Sequence, residues 1–278
     1  MEINKKIIEL LNNVKEKSPL VHHITNYVTV NDCANITLAL GGSPVMAEDI
    51  NEVREMVSIS SSLVINIGTL NSISVQSMIV AGRMANKLNI PVILDPVGAG
   101  ATSYRTDTAK RNISEVKLSV IRGNLSEIKT LYGIESKTKG VDACQDVSAY
   151  GNELIQEKGI AKALASKLNT VIAITGEVDI ITDGKTLYSV ENGHKIMSKV
   201  TGTGCMCTSL IGSYLGVGGN NLIAALAGVV SMGIAGEIAY EGLDKSKGGT
   251  GSLKVKIIDA IYNLSEDDIV KRSKINEE

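Results

Sequence analysis

The chain contains no phenylalanine and no tryptophan, and eight tyrosines supply all of its aromatic content in 278 residues. A hydrophobic core must therefore be built from Ile, Leu, Val, Ala and Met. The excess of one charge sign over the other is also small: the net charge is −2, and no strongly basic block occurs. Since nucleic acids and anionic membrane surfaces are bound through clustered Lys and Arg, we expect neither as a partner.

Cysteine and histidine are few. The four cysteines, Cys33, Cys144, Cys205 and Cys207, form no CxxC pair, and the three histidines have no zinc-ligand spacing with them. This pattern predicts free thiols in a reducing compartment rather than a disulfide framework or a zinc site. The N-terminus lacks the apolar region of a signal peptide, so we expect a cytoplasmic protein. The apolar residues 222–235 are rich in Gly and Ala, and their length favours a buried helix over a membrane span.

Short continuous apolar runs alternate with segments of helical spacing. Such runs are typical of strands covered on both faces, and hence of a parallel sheet. We predict strands at 20–24, 63–67, 91–94, 118–121 and 171–174. We predict helices at 72–88, at 125–132 with Gly133 ending the helix, and at 152–168. This order predicts an α/β fold of three layers, and no linker divides the chain, so we expect one domain over residues 1–278.

The pattern changes after residue 177. Asp183-Gly184 is a type I′ hairpin signal, and Asn192-Gly193 is a second such dipeptide. We predict a β-meander at one edge of the sheet, with strands at 178–181, 186–190 and 195–198. Helical stretches are predicted at 201–214, 220–240 and 253–264, followed by a polar tail at 265–278.

The segment Val200-Thr-Gly-Thr-Gly-Cys-Met-Cys places two glycines before a helix of small residues. Glycines allow successive N–H groups to face one point, and a helix N-terminus adds a positive end, so an anion such as a phosphoryl group could bind here. The segment has no Lys of a Walker A motif, and Cys207 breaks the GxGxxG pattern. Taken alone, it is equally an ordinary turn that opens a helix.

Polar residues follow three of the predicted strands. Asp95 ends one strand before a Gly-rich turn, Arg122 ends the next, and Thr175 ends the strand at 171–174. In open α/β sheets, ligands bind at the carboxyl ends of strands, so we expect these side chains to form one line with residues 201–205. Arg122 suits a phosphate. Asp95 suits a metal or phosphate, and taken alone it is equally an Asp that caps the turn.

Asn124 and Glu127 carry two interpretations. Glu127 could bind Mg²⁺ directly or through water. The same spacing also predicts a capping box, with Asn124 as the N-cap residue. Both interpretations can hold at once.

The segment around residue 26 suits a small polar heterocycle. Asn26 offers a donor and an acceptor, and Met46 offers a soft apolar wall. His22 and His23 are adjacent, so in a strand they point to opposite faces, and each is more simply a structural residue.

In combination, these segments resemble the hydroxyethylthiazole kinase family. The resemblance is carried by the surroundings of Asn26, by Asp95-Pro-Val-Gly-Ala-Gly, by Arg122-Gly-Asn-Leu-Ser-Glu and by Val200-Thr-Gly-Thr-Gly-Cys, from about residue 19 to residue 240. It implies a ribokinase-like α/β/α fold with a mostly parallel sheet and no lid. It further implies phosphorylation of the alcohol of 4-methyl-5-(2-hydroxyethyl)thiazole with ATP and Mg²⁺ in thiamine salvage, by a homotrimer whose sites are shared between neighbours.

The resemblance also implies roles for single residues. Met46 and Gly202 would contact the thiazole with Asn26 nearby, and Asp95 and Glu127 would organise Mg²⁺ and the phosphates. The residues that would bind ATP are Arg122, Thr175, Asn124 and Gly204.

Cys205 stands where most ribokinase-like kinases carry the Asp of a GxGD pattern as general base. A free thiol has a pKa near ~8.5, which a helix N-terminus lowers. A loose phosphoryl-transfer transition state needs little deprotonation of the nucleophile. Cys205 is therefore either a modest base or mainly a positioning group.

Three other functions stay compatible with the sequence. A kinase of the same fold for hydroxymethylpyrimidine or pyridoxal would usually carry Asp at position 205. An ADP-dependent hydrate dehydratase shares the fold and a similar Gly-rich loop. A nucleotide-binding sensor would bind ATP without turnover.

Overall fold

The structure is a computed structural model that describes residues 2–138, 153–244 and 246–278. Cys144 and the first residue of the helix predicted at 152–168 lie outside the described residues. The strands are β1 Leu20–Ile24, β2 Ser43–Val45, β3 Ser62–Asn66, β4 Val92–Asp95, β5 Val120–Asn124, β6 Val171–Thr175, β7 Asp179–Thr182, β8 Leu187–Val190 and β9 Ile275–Glu277. The helices are α1 Glu2–Lys17, α2 Val30–Leu40, α3 Val53–Ser58, α4 Ser72–Lys87, α5 Ser103–Glu115, α6 Leu125–Thr138, α7 Glu153–Leu168, α8 Thr203–Gly216, α9 Asn221–Glu241, α10 Thr250–Tyr262 and α11 Glu266–Arg272.

The strands form one mixed sheet in the order β2-β1-β3-β4-β5-β6-β7-β8-β9. Neighbouring strands from β2 to β6 are parallel, and β7, β8 and β9 add antiparallel pairs at one edge. The mostly parallel sheet predicted from the apolar runs is confirmed. The carboxyl ends of β1, β3, β4 and β5 therefore meet at one edge of the sheet.

Helices cover both faces of the sheet. Side chains alternate along a strand, so Ile93 of β4 joins a core with α1, α2, α8, α9 and α10, while Val92 and Leu94 join a second core with α3 to α7. The three-layer architecture follows from the two buried faces.

Helix α9 is buried within the first of these cores. Within the described residues it is the one helix long and apolar enough to cross a membrane, but 89% of its apolar window is buried inside the protein. The buried helix predicted at 222–235 is therefore confirmed. Its small residues permit close packing, because a Cβ on Gly228 would lie 2.4 Å from Cγ1 of Ile211 in α8.

The predicted β-meander is wrong in its third strand. Residues 195–199 form a 3₁₀ helix, and the strand that pairs with β8 is β9, from the tail expected to be only polar. The Asn192 side chain anchors this tail, since it donates to the carbonyl of Arg272 and accepts from the N–H of Lys274. The dipeptide Asn192-Gly193 therefore holds a distant segment instead of making a hairpin turn.

Two local predictions also fail. Of Asp183 and Gly184, only the glycine has a positive φ, so the turn between β7 and β8 is not type I′. Asp183 accepts from the N–H groups of Lys185 and Thr186 instead, as Asp side chains do in Asx turns. Helix α6 continues past Gly133 to Thr138, because one interior glycine costs a helix only about 1 kcal/mol.

Candidate functional site

A cleft of about 340 Å³ lies at the carboxyl ends of the parallel strands, against the N-terminus of α8. Most of the site residues predicted from the sequence line it, namely Asn26, Asp95, Arg122, Asn124, Glu127, Gly202, Gly204 and Cys205. The lining also includes Val28, Thr29, Gly68, Val97 and Thr201. Met46 and Thr175 do not line it.

Asp95 is the buried anion of the cleft. It ends β4, is fully buried, and accepts through Oδ2 from Asn66 Nδ2 and Thr208 Oγ1, each at 2.8 Å. Its other oxygen, Oδ1, is buried and has no hydrogen-bond partner among the described residues. Burial raises the pKa of Asp95 to about 6, although the Arg122 guanidinium opposes this shift. The carboxylate thus keeps one oxygen for a cation or donor that the described part of the chain does not supply.

Arg122 lies between the ends of β4, β5 and β6. Its Nη1 is 3.7 Å from Oδ2 of Asp95, Nη2 donates to the hydroxyl of Thr175, and Nε is buried with no partner in the part of the chain that the structure describes. A Cβ at Gly204 would lie 2.5 Å from Nη1, so the glycine lets the guanidinium pack against the start of α8. Thr175 therefore reaches the site through Arg122.

Glu127 and Asn124 form the capping box expected at the start of α6. Glu127 accepts from the Asn124 N–H at 2.8 Å, and its own N–H donates to the Asn124 side chain at 2.9 Å. The second oxygen of Glu127 accepts from the N–H of Gly98 at 2.8 Å. Each carboxylate oxygen thus already holds one backbone donor, which favours contact with a metal through water over direct ligation.

The glycine turn before α8 is shaped by Gly202. This residue has φ +86°, and a Cβ there would lie 2.7 Å from the Cγ2 of Thr29, so both conformation and space require glycine. The first backbone bond of the turn runs from the Met206 N–H to the Gly202 carbonyl. The N–H groups that precede Met206 are those a helix leaves without an internal partner, which suits an anion.

Cys205 receives two side-chain N–H donors. Nδ2 of Asn66 lies 3.3 Å from its Sγ, and Nδ2 of Asn26 lies 3.4 Å away. Burial raises the pKa of the thiol and the charge of Asp95 adds to this, while hydrogen bonds from Thr29, Asn26 and Asn66 oppose it. The lowering that a helix N-terminus alone would cause is therefore outweighed, and the thiol is protonated at neutral pH.

Met46 lies just beyond β2, at the edge of the sheet beside β1, and is half-buried. The carbonyl of the next residue, Ala47, is hydrogen-bonded to Nε2 of His22 at 2.6 Å. Burial lowers the pKa of both histidines, that of His23 to about 4. His23 bonds to the Val21 carbonyl and to Ser209. Both histidines are neutral structural residues here.

Three polar residues of the site were not singled out from the sequence: Asn66, Thr208 and Thr29. Asn66 interrupts the apolar run at 63–67 with an amide, and Thr208 follows Gly204 at i+4 on one helix face. These were the available signals, but neither identifies Asp95 as the shared partner. Only the pairing of β3 with β4, which sets Asn66 beside Asp95, makes that connection.

The residues present fit Mg²⁺ together with phosphates, and not a metal cage built by the protein alone. Among the described residues, no three His, Cys, Asp or Glu side chains cluster as metal ligands. Mg²⁺ commonly takes one or two carboxylates plus substrate phosphates. Asp95, with its unpartnered Oδ1, and Glu127 supply that pair.

Known proteins similar to this chain agree on one family. The model of the hydroxyethylthiazole kinase family matches residues 11–267. The chain is 58% identical over 276 residues to a hydroxyethylthiazole kinase of Clostridium tetani and 56% identical over 277 residues to that of Alkaliphilus oremlandii, with at least 99% of each chain covered. The structure of the hydroxyethylthiazole kinase protein from Pyrococcus horikoshii matches with a TM-score of 0.88, 40% identity and 99% coverage of both chains.

A more distant likeness concerns the fold alone. Pyridoxal kinase from Staphylococcus aureus in complex with ADP matches with a TM-score of 0.58 and 15% identity, over 79% of this chain and 87% of that one. The expected ribokinase-like architecture is thereby confirmed.

Proposed function

This chain belongs to the hydroxyethylthiazole kinase family, and from that premise we propose that it phosphorylates the primary alcohol of 4-methyl-5-(2-hydroxyethyl)thiazole with ATP and Mg²⁺. The product would be the thiazole phosphate, and the proposed role is thiamine salvage. The proposal includes a homotrimer with sites between neighbouring subunits.

The observation that carries the proposal is the meeting of Asp95, Arg122 and the glycine turn around one cleft. Within residues 2–138, 153–244 and 246–278, Asp95 Oδ1 and Arg122 Nε are buried without partners, and beside them lies the first turn of α8, whose N–H groups have no intrahelical acceptor. An unpaired carboxylate oxygen beside donors for an anion is the arrangement that a metal-bound phosphate would satisfy.

On the nucleotide side, Arg122 would contact the phosphates and Thr175 would orient its guanidinium. Asn124 and the N–H of Gly204 would add polar contacts. Asp95 would hold Mg²⁺ through Oδ1, and Glu127 would act through water. When bound, Mg²⁺ would neutralise part of the charge that develops on the transferred phosphoryl group.

On the alcohol side, Asn26, Gly202 and Cys205 would hold the hydroxyl and the ring. Met46 would complete the apolar wall from the sheet edge beside β1. Because the raised pKa keeps the Cys205 thiol protonated at neutral pH, the residue would serve mainly to position the alcohol. A loose transition state requires the nucleophile to be held in line more than it requires its proton to be removed early.

The test is a coupled assay of ADP release with three alcohols, namely the thiazole alcohol, hydroxymethylpyrimidine and pyridoxal, each confirmed by mass spectrometry of the phosphorylated product. We expect one phosphorylated thiazole per ADP and much lower rates with the other two. A preference for either of the other alcohols would overturn the substrate. ATP binding without any phosphorylated product would overturn the reaction and favour a nucleotide sensor.

The nucleotide, metal and assembly parts of the proposal have separate tests. Replacing Mg²⁺ by EDTA should abolish turnover and be reversed by added Mg²⁺. Mass photometry of the purified chain should report three subunits, and a monomer that is fully active would contradict the shared site.

A further inference from the structure

Asn66 is the last residue of β3 and is the register partner of Asp95 in β4. Its side chain is buried, with 1% of the residue exposed. It makes four contacts, of which two are to groups of the proposed reaction. One amide hydrogen lies toward Oδ2 of Asp95 at 2.8 Å, and the other toward Sγ of Cys205 at 3.3 Å.

The orientation of this amide is fixed by a backbone group. Oδ1 of Asn66 accepts from the N–H of Gly68 at 2.9 Å, and a backbone N–H can only donate. The amide therefore cannot be flipped, and its NH₂ must face Asp95 and Cys205. Oδ1 also accepts from Nδ2 of Asn26 at 2.9 Å.

Asn26 is fixed by the same logic. Its Oδ1 accepts from the backbone N–H of Thr29 at 3.1 Å and from the Thr29 hydroxyl at 3.0 Å, so its NH₂ faces Asn66 and Cys205. The two amides together present two N–H donors to one sulfur. Position 205 is thus built to hold an acceptor, while the hydrogen of the thiol is directed away from both amides.

We propose that Asn66 is a positioning residue for the phosphoryl transfer, which holds the Cys205 sulfur and the Asp95 carboxylate as one unit through the two hydrogens of its amide. This inference rests on the proposed function for its effect on turnover. Asn66 would keep a constant distance between the Cys205 sulfur, which would face the alcohol, and the Asp95 carboxylate, which would face the metal. The donors also stabilise negative charge on the sulfur, because a hydrogen bond to the charged form favours that form.

A purely structural role would account for part of the same geometry. Asn66 also links the ends of β1 and β3 through Asn26 and Gly68, so its loss would destabilise the sheet edge. The two roles differ in what happens at the sulfur. Only the positioning role predicts a change in the titration of Cys205. It also predicts that the effect of losing Asn66 on turnover depends on the residue at position 205.

The first measurement is the pH profile of alkylation of Cys205 in full-length protein, followed with iodoacetamide by fragment-resolved mass spectrometry that separates it from Cys207. In Asn66→Ala, we expect the inflection to move to higher pH, because one of the side-chain donors to the thiolate is lost. Asn112→Ala is the matched control: Asn112 is equally buried in α5, and its side-chain amide donates to the backbone carbonyl of Thr108 in the same helix. It should leave the profile unchanged.

The second measurement is a double-mutant cycle on turnover of the thiazole alcohol. Asn66→Ala should lower kcat about tenfold, with little change in KM for the alcohol. In a Cys205→Ala background the same change should cost less than about threefold, because the sulfur through which it acts is gone. Equal losses in both backgrounds, together with an unmoved alkylation profile, would overturn the positioning role.

Asn66→Asp keeps the inference testable if the alanine variant does not fold. It preserves the volume and the oxygen that accepts from Gly68, and it replaces only the donating NH₂. We expect an upward shift of the Cys205 inflection, because the new side chain has at most one hydrogen to share between Asp95 and Cys205, where the amide has two; an unchanged inflection would contradict the inference. Alkylation needs no substrate, so a wild type without kinase activity would refute the proposed function and leave the alkylation result standing.

Discussion

The hydroxyl of Thr208 donates to Oδ2 of Asp95 over 2.8 Å, and this bond ties the end of β4 to the second turn of α8. The bond orients a carboxylate in a place where burial opposes its charge. It saturates Oδ2 together with Asn66 and leaves Oδ1 without a partner. The chain therefore carries an energetic cost at Asp95 that a bound cation would relieve, and this makes Asp95 the first residue to test.

Asp95→Asn should stabilise the apo protein at neutral pH while abolishing turnover. The pKa of Asp95 is about 6 in the folded protein against 3.8 for an ordinary Asp, so the unfolded chain releases this proton at lower pH. The wild type therefore loses stability as pH rises from about 3.8 to about 6, by up to about 3 kcal/mol, and the Asn variant does not. Urea unfolding at pH 4 and pH 7.5 measures the stability of the wild type and of the variant. A variant that is less stable than wild type at pH 7.5 would show that the pairing with Arg122 outweighs burial.

Cys205→Ala should lower kcat more than it raises KM for the alcohol, because the sulfur would act on the positioned hydroxyl and not on binding of the ring. A change in KM alone would remove the catalytic role. Cys205→Asp should retain activity, since its carboxylate would accept from the same Asn26 and Asn66 amides. Steady-state kinetics with the thiazole alcohol distinguish these outcomes, and complete loss in the Asp variant would mean that the thiol itself is required.

Gly204→Ala should weaken ATP binding, because the new Cβ would lie 2.5 Å from Nη1 of Arg122 and displace the guanidinium. We expect KM for ATP to rise about tenfold, the loss of roughly one charged hydrogen bond. Gly159→Ala in α7 is the control, since among the described residues no atom other than those of its chain neighbours and its own helix backbone lies within 4 Å of the new Cβ. It should leave KM unchanged and stabilise the protein by ~0.5–1 kcal/mol. An unchanged KM for ATP in Gly204→Ala would show that Arg122 does not contribute to nucleotide binding.

Arg105→Met should loosen two loops of the cleft. The Arg105 guanidinium donates to the carbonyls of Ile67, Val97 and Gly68 at 2.9, 2.7 and 2.8 Å, and Gly68 and Val97 line the cleft. We expect KM for both substrates to rise several-fold and the melting temperature to fall.

Arg111→Met on the same helix is the control for Arg105. Arg111 makes an exposed ion pair with Glu115, and such pairs contribute at most about 1 kcal/mol. Equal effects of the two substitutions on KM would show that the three carbonyl bonds do not shape the cleft.

Much of the fold was predictable because its signals are local. Continuous apolar runs marked the parallel strands, and the glycines at 202 and 204 marked a helix start where a side chain would collide with Thr29 or Arg122. The capping box of Asn124 and Glu127 was also visible as a spacing. The roles of these residues in catalysis, and the single domain, stay predictions.

The errors concern contacts between distant segments. The third strand of the predicted meander was wrong because β9 comes from the C-terminus, where its three residues carry no strand signal before Asn192 and β8 hold them. The end of α6 was wrong because a glycine in a helix is a modest penalty, and not a stop, when the helix is otherwise supported.

By itself, the sequence determined the α/β class, the family and most of the site residues at the carboxyl ends of the strands. This was possible because strand patterns and glycine turns depend on residues that are neighbours in the sequence. Only the tertiary structure decided that Asn66 and Thr208 share Asp95, and that Met46 and Thr175 stand outside the cleft lining. It also decided the direction of the Cys205 pKa, which burial raises against the pull of the helix N-terminus. Desolvation depends on everything packed around a group, and the surroundings of Cys205 come from β3, β4 and the segment that follows β1, whose residues lie more than a hundred positions away in the chain.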